Sequence, residues 1–376
     1  MAEKLRKWSK KIFLAFTIGA IILFLLSCLA PYLHPQKWWM ISLLGLGFPV
    51  LLVLVFFLFV FWALLRKKLA WVLLFALALG WKSILVSFAI NKSPSFNENK
   101  KSGDIRIGSW NVARFFEWKR NNNRGSQQRL KILEQIRKES PDILCLQEFF
   151  HSPDSIYYHN IDEIQQMGYP YFYFSYDPDG WRQFIGSVIF SKYPIIDSGL
   201  VRYFRPSMPE ALIYADIKIN EDTLRVFTTH LQSVQFRKKD YETLSEIKKA
   251  EDSFFVNTRT LLAKMKKAIR YRSSQADIVR QIRDDSPYPV LLCGDFNDIP
   301  NSYTYFTIRG DMQDAFLKKG LGIGRTYASL SPTLRIDYLF ADKSIFIRQF
   351  KRVVNNNSDH YMLVADVKPW LPGAEP

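Results

Sequence analysis

The sequence predicts an α/β domain of packed sheets flanked by helices, preceded by three transmembrane helices. Three observations carry that expectation. Long apolar runs crowd residues 12–90, short apolar strands alternate with helical patterns beyond residue 104, and the strands far outnumber the long helices, which favours packed sheets over a single doubly wound one.

The first run, Ile12–Ala30, contains no charged residue and is long enough for a hydrocarbon layer, which needs roughly 20 apolar residues. A cleaved signal peptide is the competing reading. Against it, a second run, Met40–Leu65, follows at once and no clear small-residue cleavage site intervenes. The third run, Ala70–Ile90, is interrupted by Trp81, Lys82 and Ser83, and Lys82 is expected to snorkel or to face a neighbouring helix. Trp38, Trp39 and Trp81 suit the interfacial belt, where an indole buries its ring and keeps its N–H wet.

Charge placement orients these spans. The chain carries a formal +16, yet residues 1–100 hold 12 Lys+Arg against 2 Asp+Glu, and the rest hold 39 against 33, a net of only +6. Lys4, Arg6, Lys7, Lys10 and Lys11 precede the first run and Arg66, Lys67 and Lys68 the third, while Lys37 stands alone in the first loop. Positive flanks stay cytoplasmic, so the N-terminus is expected inside and everything after Ile90 on the extracytoplasmic side. A third run lying only in the interface would reverse that side. The expected organisation is a membrane region over 1–90 with spans near 12–30, 40–65 and 70–90, a polar linker over 91–103, and a folded domain over 104–370.

Beyond the linker, strands are expected at Ile105–Val112, Ile143–Glu148, Ile185–Ser191, Leu212–Lys218, Leu224–Leu231, Val290–Phe296, Ile336–Ala341, Phe346–Val354 and Met362–Val367, with a polar helix around Arg129–Glu139. The stretch Arg237–Arg283 is the most helical and the most charged; it reads either as a solvated amphipathic face or as a surface for an anionic lipid or polyanion. Aromatic content of 15% with only 23% charged residues excludes a wholly disordered chain. Three scattered cysteines exclude a disulfide framework, and Cys145 and Cys293 read as small packing residues in buried strands.

Polar residues recur at the strand ends. Asn111, Glu148 and His230 each end a strand, Asp295 and Asn297 end another, Asp337 opens the next, and Asp359 and His360 precede the last. Singly, such residues are ordinary turn or cap residues. Together they put carboxylates, imidazoles and amides where a rigid sheet can hold a site. Oxygen-rich ligands without a cysteine cluster suit a hard ion such as magnesium, with manganese second. No HExxH or paired CxxC motif favours zinc, no GxGxxG or GxxxxGK[ST] motif a nucleotide cofactor, and no GxSxG motif a serine hydrolase.

The strings GSWNV, PDILCLQE, THLQS, GDFND, RIDYLF and SDH, in that order, resemble the signatures of the endonuclease/exonuclease/phosphatase family of metal-dependent phosphoesterases, across roughly residues 104–368. The resemblance implies a four-layer α/β sandwich with two packed mixed sheets and a site at their strand ends. It implies that Glu148 is the principal metal ligand, with Asn111 and Asp359 completing the metal side. Asp295 would orient or deprotonate the attacking water and Asn297 hold it in line. His230 and His360 would donate to phosphoryl oxygens, and Asp337 would fix the tautomer of His360; whether His360 is itself the base stays open. Arg182, Gln183, Asp314 and Thr326 match positions near the family site in pattern only, and a plain surface arginine fits Arg182 equally well. His34, His151 and His159 lie off the motif strands and read as loop residues.

The implied activity is hydrolysis of a phosphoester by an activated water, most plainly a diester of a nucleic acid or a phospholipid head group. Three spans hold the site near lipid, and GDFND departs from the GDLNYR-like string of inositol polyphosphate 5-phosphatases. A phosphomonoesterase and a non-catalytic binding protein on the same fold are the alternatives.

Overall fold

The structure is a computed structural model that describes residues 2–65, 67–91, 95–118, 126–154, 158–204, 210–234, 254–329 and 331–369. The chain divides into two compact units, one of residues 1–87, 233–274 and 299–307, the other of residues 88–232, 275–298 and 308–376.

In the first unit, one helix, Glu3–Ser27, is by itself long and apolar enough to cross a membrane, with a mean hydropathy of 2.0. The second and third expected spans are not single helices. Pro35–Leu46 and Phe48–Leu64 meet at 56°, and Leu69–Leu79 and Trp81–Ser87 at 61°, so three spans exist only if each bent pair acts as one. Glycines stand at both breaks. Gly47 is followed by Pro49, which cannot donate to the preceding turn. At Gly80 a Cβ would lie 2.6 Å from the Phe24 ring, so only glycine lets the broken helix approach the first one this closely. The third run also ends earlier than expected, because Ala89–Ile90 leaves the helix to pair with Leu321–Gly322. Phe24, Phe48, Val55, Leu58 and Leu73 form the interior of the bundle, and Trp62 Nε1 donates to Thr17 Oγ1 at 3.2 Å. Large apolar side chains such as Ile18, Phe57, Trp71 and Phe75 point outward, the inverse of a water-facing surface.

The strands of the second unit are, in chain order, β1 (Ala89–Ile90), β2 (Ile105–Asn111), β3 (Ile143–His151), β4 (Tyr171–Phe174), β5 (Asp177–Pro178), β6 (Phe184–Ser191), β7 (Ile195–Arg202) and β8 (Ala211–Ile219). They continue with β9 (Asp222–His230), β10 (Val290–Asp295), β11 (Gln313–Asp314), β12 (Leu321–Gly322), β13 (Asp337–Ala341), β14 (Phe346–Val353) and β15 (Met362–Lys368). One mixed sheet runs β14-β15-β2-β3-β6-β4, with β5 beside β6; the other runs β11-β13-β10-β9-β8-β7.

The two sheets pack face to face. Their shared core holds Ile107, Ile143, Cys145 and Ile189 from the first and Ile213, Val226, Leu291, Cys293 and Leu339 from the second. Gln147 Nε2 crosses this core to Thr228 Oγ1 at 2.8 Å. On the outer face of the first sheet, Ile132, Leu133 and Ile136 of the Gln127–Glu139 helix pack on Leu144, Leu146 and Phe190. Ser126 caps that helix, accepting from Arg129 N. All three cysteines are free and buried.

All nine expected strands form, within three residues at their ends. The largest difference is at β3, which runs past Glu148 to His151, so His151 is a buried strand residue and not a loop residue. Two longer strands were illegible in the sequence. β4 (YFYF) lacks polar alternation, and β7 (IIDSGLVR) is too polar and half-exposed to announce itself. Of the charged stretch, residues 254–283 lie in one helix, Phe254–Asp284, and residues 237–253 lie outside the described residues.

Candidate active site

Sheet register assembles the site. His230 and Asp295 are the last residues of β9 and β10 and lie opposite each other in a parallel pair, and Asp295 faces Asp337, the first residue of β13, in an antiparallel one. On the other sheet Asn111, the last residue of β2, lies opposite Gln147. Glu148 does not end its strand. It sits at a bulge, where the pairing of β3 with β6 slips between Leu146 and Phe149, with φ of +48°. A bulge re-aims one side chain without ending the strand, and a non-glycine residue in the left-handed region is a conformation that the surrounding structure must hold in place.

Asp295 Oδ2 is the hub. It accepts from Asn111 Nδ2 at 3.1 Å and lies 3.6 Å from both His230 Nε2 and His360 Nε2. Asn111 Nδ2 also donates to Glu148 Oε1 at 3.1 Å, while Asn111 Oδ1 accepts from Ala113 N. This network fixes the amide orientation, because the flipped form would turn an oxygen on two carboxylates. The amide nitrogen, not the oxygen, therefore faces Glu148. Asp295 Oδ1 accepts from Asn297 N at 2.8 Å, and Asn297, with φ of +52°, donates its Nδ2 to Leu231 O.

His360 is held from all sides. Its Nδ1 lies 3.0 and 3.1 Å from the two Asp337 oxygens, which leaves Nε2 directed at Asp295. Thr326 Oγ1 accepts from Asp337 N, Trp110 Nε1 donates to His360 O, and the Tyr327 ring lies 4.9 Å from the imidazole. Burial alone would lower the His360 pKa, but Asp337, Asp295 and Asp359 outweigh it and raise it well above the usual histidine range. That direction favours the protonated imidazole, which is a donor at both nitrogens. Burial, followed by neighbouring Asp337, pushes the Asp295 carboxyl upward against the pull of His360 and His230. Burial, then Glu148, does the same to Asp359.

Two features fit a divalent cation and a phosphate. Glu148 and Asp359 repel each other as carboxylates, a conflict that a hard ion between oxygen ligands removes. His230 Nε2 is buried without a hydrogen bond, since Glu148 Oε1 at 3.8 Å and Asp295 Oδ2 at 3.6 Å are both too distant, so it is a donor lacking its acceptor. Asp295, Asp337 and His360 also come close enough together to ligate an ion. There, however, Asp337 already occupies His360 Nδ1, so the trio is satisfied internally as a relay.

Of the other pattern matches, Arg182, Gln183 and Asp314 fall elsewhere. Arg182 is exposed and pairs with Asp154 Oδ2 at 3.1 Å, and the Gln183 main-chain oxygen accepts from Asp179 N. Asp314 caps the Ala315–Lys319 helix and pairs with buried Arg335 at 2.6 Å. Thr326 supports the site through Asp337 N. Sequence reasoning passed over Ser358, whose Oγ donates to Asn111 O at 2.8 Å and ties the last motif to the first. Its place in the SDH string was the available signal. Nothing local marks Trp110 or Tyr327.

Residues 108–360 match the sequence profile of the Endonuclease/Exonuclease/phosphatase family. The chain belongs to this family. Its hydrolases are phosphoesterases that use divalent metal ions, and this chain contains an acidic and histidine cluster. Residues 10–87 match a second profile, a Domain of unknown function (DUF8431). Among solved structures, the fold is similar to the human Nocturnin catalytic domain with bound sulfate anion, at 18% identity and a TM-score of 0.50 over 72% of this chain and 96% of that one. It is similar also to D. rerio TDP2 complexed with single strand DNA product, at 16% identity and a TM-score of 0.50 over 71% and 99%. No curated protein matches the sequence.

Proposed function

We propose that this family member is a membrane-anchored, magnesium-dependent phosphodiesterase acting on a nucleic acid or phospholipid head group. The observation that carries the reading is Asp295 Oδ2, 3.1 Å from Asn111 Nδ2 and 3.6 Å from His230 Nε2 and His360 Nε2, with Glu148 on the far side of Asn111. Glu148 and Asp359 would hold the ion, and Asn111 orients Glu148. A bound divalent ion supplies Lewis acidity at a phosphoryl oxygen.

The chain's own groups do the rest. Asp295 takes the proton of the attacking water, and Asn297 N–H holds the carboxylate in one orientation while it does so. His360, protonated and fixed by Asp337, donates to a phosphoryl oxygen as negative charge grows, and His230 Nε2 supplies a second donor.

Three spans with the N-terminus inside remain the favoured topology. Ser27 O, at the end of the first helix, accepts from Asn301 Nδ2 at 3.0 Å, and Gln36, in the first turn of the Pro35–Leu46 helix, bonds Arg270 O and Ser274 Oγ. These contacts favour a topology with the end of the first helix, the start of the second and residues 270, 274 and 301 on one side of the membrane. Three spans meet that condition, whereas two put them on opposite sides. This supports an extracytoplasmic domain.

The test is hydrolysis of bis-p-nitrophenyl phosphate against p-nitrophenyl phosphate by the full chain in detergent, with magnesium, with manganese and with chelator, followed by single-stranded DNA and sphingomyelin. We expect diester hydrolysis that chelator removes and that Glu148→Ala lowers by about 10²-fold or more. Near-full activity of that variant would refute the ligand assignment, and inactivity on all four substrates would remove the enzyme reading.

A further inference from the structure

We propose that the basic face of residues 259–274 is a binding surface for anionic phospholipid at head-group height, a second ligand surface separate from the candidate active site. The inference rests on the membrane-embedded reading above. Charge is its first support. The part of the Phe254–Asp284 helix that belongs to the membrane unit, residues 254–274, carries Arg259, Lys264, Lys266, Lys267, Arg270 and Arg272 with no acidic residue. The remaining part, residues 275–284, balances Arg280 and Arg283 against Asp277 and Asp284, and Arg280 pairs with Asp284 at 3.5 Å. A helix face that merely faces water mixes signs at i,i+4 as the second part does; Arg259, Lys266, Lys267 and Arg270 instead crowd cations along one side of the helix, a density that an anionic partner relieves.

Its second support is placement within the membrane unit. Lys266 Nζ lies 5.0 Å from the Trp39 ring, and Arg270 Nη2 donates to Gln36 O at 2.8 Å. Tyr32, just before the Pro35–Leu46 helix, and Trp38 and Met40 on it are exposed, as suits residues at a bilayer interface. Helical spacing completes the surface. Leu261, Ala268, Ile269 and Arg272 are buried, while Arg259, Leu262 and Lys267 are exposed, so an apolar side chain and basic side chains face out together. Lipid head groups meet that combination better than a nucleic acid strand, because the basic face is tied directly to the interfacial aromatic residues.

The experiment is native mass spectrometry of the delipidated full chain in detergent, offered equal concentrations of phosphatidylglycerol and phosphatidylcholine. We expect phosphatidylglycerol to be retained about tenfold over phosphatidylcholine, and the variant Arg259→Gln/Lys266→Gln/Lys267→Gln to fall to about twofold or less, with diester hydrolysis unchanged. Equal retention of the two lipids by the unaltered protein overturns the proposal without any variant. So does a preference that survives the triple substitution, or displacement of phosphatidylglycerol by a single-stranded oligonucleotide, which would mark a nucleic-acid surface. Extraction of the chain from membranes by alkaline carbonate would instead strike the membrane reading itself, whatever the lipid preference.

Discussion

His360 and Asp337 show what a single pair contributes. The carboxylate selects which imidazole nitrogen faces the hub, a choice invisible in either residue alone. Asp337→Asn keeps size and polarity but removes the charge that holds His360 protonated. Its turnover on bis-p-nitrophenyl phosphate should fall by about 10²-fold with KM little changed, and an unaltered kcat would show that His360 acts without it. Away from the site, burial and then neighbouring His159 push His151 down to about 4. Its folded pKa lies below the unfolded 6.5, so the stability it confers is whole above pH 6.5 and disappears as pH falls through about 4. Melting temperatures of the full chain should drop across that window, and His151→Gln should flatten the drop; an equally steep fall in the variant would assign it to other groups. At this scale the sequence displayed which polar residues cluster, since Asn111, Glu148, His230, Asp295, Asp337 and His360 all converge. Their partners were not legible. Trp110 and Tyr327 are ordinary aromatics until folding sets one on the His360 carbonyl and the other on its ring.

The strands turn those residues into a site through register. β9 and β10 must approach closely enough to align His230 with Asp295, and Gly294, with φ of +143°, permits it: a Cβ there would lie 2.0 Å from Thr229 O. The obstacle is backbone, so no side-chain rotation relieves it. Gly294→Ala should therefore cost about 2 kcal/mol or more and abolish activity, as read by thermal unfolding and diester hydrolysis; a stable, active variant would mean that the two strands can separate freely. The bulge at Glu148 makes the same point from the other sheet. Motif grammar placed Glu148 at a strand end, whereas β3 continues and the chain re-aims one residue within it. Strand existence was readable from apolar runs, while bulges and the half-exposed β7 were not, because both depend on the neighbour against which a strand pairs.

Across the whole chain, the two units interleave five times, at 87/88, 232/233, 274/275, 298/299 and 307/308, so the unit with the apolar helices is not one contiguous stretch of chain. The linker expected at residues 91–103 lies inside the second unit, whose first boundary is at 87/88. Side of the membrane is the corresponding prediction. An alkaline phosphatase fused at Pro376 should be active, and a cysteine replacing exposed Tyr32 should react with an impermeant maleimide added from outside. Opposite results at the two positions would dismiss the shared-side argument.

The sequence by itself determined the apolar runs, the basic flanks, the strand alternation, the family and which polar residues the candidate site gathers. Each of these is written in contiguous stretches, where period, charge and motif order are local properties. Tertiary structure alone decided that Asp295 is the hub, that Asp337 lies on Nδ1 of His360, that Glu148 stands on a bulge and that Gln36 bonds the long basic helix at Arg270. These are contacts between segments far apart in the chain, and only the register of packed strands and helices brings such segments together.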